Sequence, residues 1–110
     1  NDPDADFDRA LAGPASAVLG ALQDGRLVGT VMVGHDGHRG WVYYLATASE
    51  VRGRGYGRAL MLAAEEWIAR RGIVKIQFMV RADNDAVCAF YEHLGYSDQN
   101  CRVLGRRLDG

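Results

Sequence analysis

Residues 50–58, which read Glu-Val-Arg-Gly-Arg-Gly-Tyr-Gly-Arg, constrain the fold of this chain more than any other segment. Ahead of them apolar residues alternate as in strands, and after them apolar residues recur at the spacing of one helix face. Glycines at alternate positions let backbone N–H groups converge on one point, because glycine tolerates positive φ and has no Cβ. The next helix directs its unpaired N–H groups and positive dipole end at the same point. The pattern therefore predicts a strand–turn–helix unit that binds an anion, above all phosphate or pyrophosphate.

Other phosphate-binding motifs fit the same glycines less well. A Walker loop requires Gly-Lys-Ser/Thr, whereas Gly57 is followed by Arg58 and Ala59. The dinucleotide fingerprint GxGxxG fails whether the count starts at Gly53 or at Gly55. An RGRG tract also occurs in RNA-binding tails, but an amphipathic helix does not follow such tails. On the loop alone, a tight turn without any ligand stays open.

Turn signals divide the rest of the chain into further helices and strands. Near the N-terminus, Asp4 or Asp6 caps a short helix that ends at Gly13-Pro14. The predicted strands are 15–23, 26–34, 41–47 and 74–80, with a final pair or one bent strand over 96–107. Two more helices are predicted, one from Tyr56 to about Gly72 and one from Asp83 or Asn84 to Gly95. This order predicts an α/β fold with helices on both faces of one sheet.

Composition excludes several classes of protein. The 110 residues are 48% hydrophobic and 25% charged, which predicts one folded domain, 1–110. A net charge of −1 argues against a protein that mainly binds nucleic acid or an anionic membrane. No apolar run is long enough to span a bilayer, and no signal peptide is recognisable. Cys88 and Cys101 form no CxxC motif, so reduced thiols in a cytoplasmic protein are expected.

A second motif lies in residues 84–96, Asn-Asp-Ala-Val-Cys-Ala-Phe-Tyr-Glu-His-Leu-Gly-Tyr. Together with residues 52–57 it resembles the two signature motifs of the GCN5-related N-acetyltransferases (GNAT). The first of these is Arg/Gln-x-x-Gly-x-Gly/Ala, and the second is an Asn followed by a helix ending in Tyr-Glu-x-Leu-Gly-Phe/Tyr. Both occur here in the family's order, separated by one helix and one strand. The likeness runs from about residue 15 to residue 107.

Three shorter stretches, 29–32, 35–40 and 43–45, look like the bacterial YpeA-type subgroup of that family. The resemblance implies a mixed, mostly antiparallel central sheet. Family members carry a further strand and helix ahead of the segment that begins this chain, and that helix helps to wall the acceptor pocket. We therefore expect a single acetyltransferase domain that is shortened on its N-terminal side.

The resemblance implies acetyl-CoA as the donor. The glycine segment would hold the pyrophosphate, the end of the third strand would pair with the pantetheine arm in a gap beside strand 74–80, and Asn84 would bond that arm. Tyr91 would be the catalytic general acid for the leaving thiolate, since a phenol stays protonated at neutral pH. Core packing is the alternative role for this ring. The implied cofactor-binding residues are Leu45, Ala46, Thr47, Arg52, Gly53, Arg54, Gly55, Tyr56, Gly57, Arg58, Asn84 and Tyr91.

The implied reaction is direct attack by a primary amine: a protein N-terminus, a lysine or a small amine. No general base is assigned, because Glu50 and Glu92 are typical of solvated surface acids. No metal is expected at residues 35–38, His-Asp-Gly-His, which form no helical ligand pair and suggest no third ligand.

Other functions stay open at this point. One is a non-catalytic acyl-CoA-binding sensor or interaction module. Another is a nucleic-acid binder that uses Arg52, Arg54 and Arg58, against which the near-neutral net charge argues. We expect neither nucleic acid nor membrane as a partner, and a monomer or a homodimer.

Overall fold

The computed structural model describes residues 2–110, so Asn1, with which the predicted domain begins, lies outside the described residues. The chain divides into two compact units, the first ending at Met79 and the second beginning at Val80. The elements of the first unit are α1 (Pro3–Ala12), β1 (Ser16–Gln23), β2 (Arg26–His35), β3 (Gly40–Thr47), a 3-10 turn (Ser49–Val51), α2 (Tyr56–Ala69) and β4 (Ile76–Gln77). The second unit contains α3 (Asp85–His93). Between residues 2 and 110, no helix combines the length and the apolar character that crossing a membrane requires.

The first unit is built on a four-stranded sheet in the order β1-β2-β3-β4. The first three strands are antiparallel neighbours, and only β4 runs parallel to its partner β3. Asp24 and Gly25 form the first hairpin turn with φ of 51° and 80°, the positive values that an Asp-Gly hairpin requires. The expected mixed, mostly antiparallel α/β sheet is confirmed.

Helix α2 packs closely on one face of this sheet because two strand glycines leave room for it. A Cβ on Gly29 would lie 2.9 Å from Leu60 Cδ1, and one on Gly40 would lie 2.3 Å from Ile68 Cδ1. The buried core beneath this helix is formed by Val31, Val33, Val42, Leu60, Met61, Ala64 and Ile68, whereas Val28 and Met32 are buried on the opposite face of the sheet. Removal of this apolar surface from water is the main force that holds helix and sheet together.

Helix α1 covers the other face. His35 faces α2, where its ring lies 6.0 Å from that of Trp67, so the neighbouring Gly34 faces away from α2. Ser16 pairs with Gly34 across β1 and β2, and its hydroxyl donates to the carbonyl of Ala10 in α1 at 2.8 Å. The two helices of this unit therefore lie on opposite faces, as predicted.

The cap of α1 differs from the prediction. Asp2, rather than Asp4 or Asp6, accepts a hydrogen bond from the N–H of Ala5 at 3.2 Å. Pro3 occupies the first helical turn, where its fixed φ and missing N–H cost nothing. The proline therefore sets where the helix begins, and the later aspartates lie within its first turn.

Two strand predictions at the C-terminal side are wrong in extent or in kind. The strand expected over 74–80 is reduced to Ile76–Gln77, and Val74 is 92% exposed. The strands expected over 96–107 are absent: the described chain from Tyr96 onward contains neither helix nor strand. There the carboxylate of Asp98 accepts from the N–H of Asn100 at 2.8 Å, and Asn100 has a φ of 55°. Such local side-chain bonds compete with a strand ladder, which apolar alternation alone does not reveal.

The turn at residues 35–38 owes its shape to one carboxylate. Asp36 accepts from the N–H groups of His38 and Arg39, at 2.9 and 2.7 Å, and from the Trp41 indole at 3.3 Å. The backbone bond from Arg39 is the largest of the causes that lower the pKa of Asp36 to about 2. The structure thus assigns this segment to turn formation.

We expect Asp36→Ala to lower the melting temperature at pH 7. Because the pKa of Asp36 is lower in the folded state, its contribution is present above the unfolded pKa of about 4 and is lost as pH falls towards 2. Thermal unfolding of both proteins between pH 7 and pH 2 checks this. Asp36→Asn, which keeps an acceptor oxygen, is the control and should melt between them. A difference that stays constant across this pH range contradicts the prediction.

Candidate functional site

The glycine segment adopts the turn that its sequence predicts. It follows the 3-10 turn Ser49–Val51, and Gly53 and Gly55 have φ of 81° and 86°. Residues that carry a side chain rarely adopt such φ values, so the backbone conformation of this turn requires glycine at both positions. Gly55 is also the N-cap of α2, which has no side-chain cap hydrogen bond.

The start of α2 therefore presents backbone donors. Its first hydrogen bond runs from the N–H of Ala59 to the carbonyl of Gly55, at 3.0 Å. The N–H groups of Tyr56, Gly57 and Arg58 precede that bond and have no acceptor four residues back within the helix. They lie at the positive end of the helix dipole, where an anion is stabilised.

Charged side chains surround this helix start. Arg52, Arg54 and Arg58 are all exposed. An open hollow of about 270 Å³ beside the segment is lined by Gln23, Asp24, Arg26, Glu50, Val51 and Arg54. Glu50 forms an ion pair with Arg26 beside this hollow, as expected of a surface acid. This contact does not assign Glu50 a catalytic role.

The outer edge of β3 is paired with β4 only at its beginning. Ladder partners are Gly40 with Ile76 and Trp41 with Gln77, and the ladder of the described residues goes no further. Beyond it, the far end of β3 keeps its β2 neighbour but has no β4 partner. At this end of the third strand the family resemblance implies a gap for the pantetheine arm.

The register shows which backbone groups face that gap. Thr30 pairs with Ala46, and the N–H of Ala48 donates to the carbonyl of Val28 at 2.8 Å, so the Ala46 backbone groups point towards β2. Leu45 and Thr47, on either side of Ala46, therefore direct their N–H and C=O groups outward. Of the three strand residues predicted for the pantetheine arm, the register thus favours two as backbone partners.

A bulge in β3 decides this alternation. The pairing shifts between Thr30 and Met32, so that Tyr44 and Leu45 together lie opposite Val31. Tyr44 has a φ of 55°. Ahead of the bulge, Gly40 points its N–H outward to the Lys75 carbonyl at 2.8 Å; beyond it, the outward residues are odd-numbered. Sequence reasoning placed Tyr43 or Tyr44 on the acceptor side of the strand but missed the bulge, since nothing in a Tyr-Tyr pair indicates a positive φ.

The second unit carries the remaining two predicted site residues. Asn84 is the N-cap of α3, and its side-chain oxygen accepts from the N–H of Val87 at 3.3 Å. Its amide N–H₂ is thus the part of the side chain that can donate to a ligand. Gly95, with a φ of 99°, ends the helix as predicted.

Tyr91 lies on α3, half-buried between aromatic rings. Its ring centroid is 5.1 Å from that of Phe90 and 6.0 Å from that of Tyr96. Burial raises the pKa of the Tyr91 phenol above its ordinary value of 10.0. This phenol consequently keeps its proton at and well above neutral pH, as a general acid must.

No group of three or more His, Cys, Asp or Glu side chains within the described part of the chain is placed to hold a metal ion. The histidines of the 35–38 turn take part in local contacts instead. His35 Nδ1 accepts from the N–H of Gly37 at 3.1 Å.

Comparison with known proteins identifies the family. The sequence profile described as the acetyltransferase (GNAT) family matches residues 1–96. The chain belongs to this family. An acetyltransferase from Pectobacterium atrosepticum is 46% identical over 108 residues, which are 98% of this chain and 77% of that protein. An acetyltransferase from Yersinia pseudotuberculosis is 45% identical over the same shares of both chains.

Solved structures agree on the fold of this GNAT acetyltransferase. The aminoglycoside N-acetyltransferase AAC(6')-Iy, in complex with CoA, superposes with a TM-score of 0.82. The match covers 96% of this chain and 85% of that one, at 18% identity. The expected enzyme class, an acetyl-CoA-dependent N-acyltransferase, is thus confirmed by family, and the mixed sheet by structure.

Proposed function

We propose that this acetyltransferase moves an acetyl group from acetyl-CoA directly to a primary amine. The observation that carries the proposal is the adjacency, within one unit, of two donor sites for CoA. The outward backbone groups of Leu45 and Thr47 are followed, nine residues after Thr47, by the first residue of α2, whose N-terminus has no side-chain cap. A pantetheine arm carries amides that can pair with a strand edge, and a pyrophosphate suits a helix N-terminus.

The pyrophosphate is assigned to residues 52–58. Backbone N–H groups of Tyr56, Gly57 and Arg58 supply donors without charge, and the exposed arginines of the segment supply positive charge. Gly53 and Gly55 contribute by the backbone turn that only glycine readily allows. This division assigns specificity for the diphosphate to the backbone and attraction of the anion to the side chains.

The acetyl transfer needs a polarised carbonyl and a proton for the leaving group. The amine nitrogen forms a bond to the thioester carbon while the carbon–sulfur bond breaks, and the sulfur leaves as a thiolate. The outward N–H of Leu45 is assigned to the carbonyl oxygen, where negative charge develops. Tyr91 gives its phenolic proton to the thiolate, the amine gives its surplus proton to water, and the Tyr91 phenolate then regains a proton from water. Asn84 is assigned to the arm through its amide N–H₂.

The acceptor is a primary amine: a protein N-terminus, a lysine side chain or a small amine. Attack requires the neutral amine, and an α-amino group, with a pKa of about 8, is far closer to neutral at pH 7 than a lysine, with a pKa of about 10.4. One superposed structure is named for aminoglycosides, so these polyamines belong among the acceptors to test.

Calorimetric titration with acetyl-CoA and with CoA tests the donor half of the proposal. We expect binding in the micromolar range for both. Release of free CoA thiol, followed with a panel of N-terminal peptides, lysine peptides, polyamines and aminoglycosides, then identifies the acceptor. A folded protein that binds neither donor contradicts the assigned site, whereas binding without release on any amine favours an acyl-CoA sensor.

A further inference from the structure

Helix α1 contacts the β3 bulge through the side chain of Tyr44. The hydroxyl of Tyr44 donates to Asp6 Oδ2 at 2.7 Å. The Tyr44 ring also lies 5.5 Å from the ring of Phe7, tilted by 39°. Asp6 and Phe7 are adjacent residues of α1, so one turn of that helix contacts the tyrosine at both its ring and its hydroxyl.

The backbone at Tyr44 needs such support. Besides glycine, three described residues have positive φ, and the other two, Asp24 and Asn100, are of types that tolerate it in turns. Tyr44 is an aromatic residue within a strand, where a φ of 55° is strained. A strained conformation persists only where its surroundings over-determine it, and the contacts from α1 are the ones that the structure shows.

The charge state favours this contact at neutral pH. The Tyr44 hydrogen bond is the main cause that lowers the pKa of Asp6, and the same bond raises the pKa of Tyr44. A carboxylate acceptor therefore faces a protonated phenol, which is the stronger, charge-assisted form of the bond. Arg9 pairs with the other oxygen of Asp6, so each oxygen has its own partner.

We infer that the Asp6–Tyr44 hydrogen bond is a positioning contact for the acetyl donor, because it fixes the bulge that turns the Leu45 and Thr47 backbone groups outward. Without the extra residue of the bulge, even-numbered residues would continue to point outward from Gly40 onward. The backbone groups of Ala46, rather than those of Leu45 and Thr47, would then face the gap. Asp6 and Tyr44 thus act through the strand backbone and need not touch the donor. The inference rests on the proposed function, in which that edge holds the pantetheine arm.

Two ligands separate positioning of the arm from general support of the fold. Acetyl-CoA has both the diphosphate and the arm, whereas ADP has a diphosphate and no arm. For Tyr44→Phe, which keeps the ring against Phe7, we expect acetyl-CoA to bind about five- to tenfold more weakly, in line with loss of one hydrogen bond. The affinity for ADP should stay within about twofold, since the start of α2 is unchanged.

Matched variants complete the test. Asp6→Ala should repeat the Tyr44→Phe result, the double variant should add little to either, and Asp6→Asn, which keeps an acceptor, should recover most of the affinity. Arg9→Ala removes the ion pair but leaves the Tyr44 bond, and should bind acetyl-CoA like the unaltered protein.

The inference is overturned if Tyr44→Phe and Asp6→Ala keep full acetyl-CoA affinity, or if they lose acetyl-CoA and ADP equally. Failure of the proposed function looks different, because the unaltered protein itself would then not bind acetyl-CoA. If the unaltered protein does not bind acetyl-CoA, the Asp6–Tyr44 contact has no pantetheine arm to position, and the inference falls with the proposed function.

Discussion

Gly57→Val is expected to weaken acetyl-CoA binding about a hundredfold or more, equivalent to about 2.7 kcal/mol. Gly57 lies in the first turn of α2, and its N–H is among those that precede the first helical hydrogen bond. A branched side chain there would stand over the donors and keep a diphosphate from reaching them. Titration calorimetry of the purified variant with acetyl-CoA measures the loss.

Two further variants separate this effect from helix stability. Ala63→Val makes a branched substitution at an exposed position of the same helix and should bind normally. Gly57→Ala should stabilise the helix, by up to about 1 kcal/mol, yet still weaken binding, because the added methyl group lies at the same donors. Gly55→Val is less informative, since a φ of 86° already strains any valine. A folded Gly57→Val protein with unchanged affinity would disprove the assigned anion site.

The parts of the site that could be predicted are those whose geometry requires particular residue types. Positive φ at Gly53 and Gly55 requires glycine, so the turn was visible in the sequence. The same holds for the Asn84 cap and for Gly95 at the end of α3. In each case local chemistry alone determines the conformation.

The β3 bulge could not be predicted, because its cause is not local. Tyr44 takes a positive φ in a strand through contacts with Asp6 and Phe7, which lie nearly forty residues earlier. The prediction of strands over residues 96–107 was wrong for a related reason. Alternating apolar residues indicate a strand, but a strand also needs a neighbour to pair with, and the Asp98 turn forms instead. Whether a strand finds a neighbour to pair with depends on the tertiary structure, which a single sequence indicates only weakly.

Tyr91→Phe is expected to lower kcat by about a hundredfold to ten-thousandfold, the usual contribution of general acid catalysis. The ring and its contacts with Phe90 and Tyr96 persist in the variant, so the affinity for acetyl-CoA should change by less than about twofold. Once an acceptor amine is found, steady-state rates at saturating donor measure the effect. Tyr96→Phe, which removes the phenol of the adjacent ring, is the matched control and should keep most of the activity.

The pH profile distinguishes a proton donor from a packing residue. Burial raises the pKa of Tyr91, so its acid form persists above pH 10 and any fall in kcat from its ionisation comes at still higher pH. At lower pH, kcat should rise as the acceptor amine loses its proton, and this limb should follow the pKa of the amine used. Tyr91→Phe should lower kcat at every pH below the phenol's pKa while leaving the amine limb in place. Full activity in a folded Tyr91→Phe protein would remove the phenol from the reaction and leave water to protonate the thiolate.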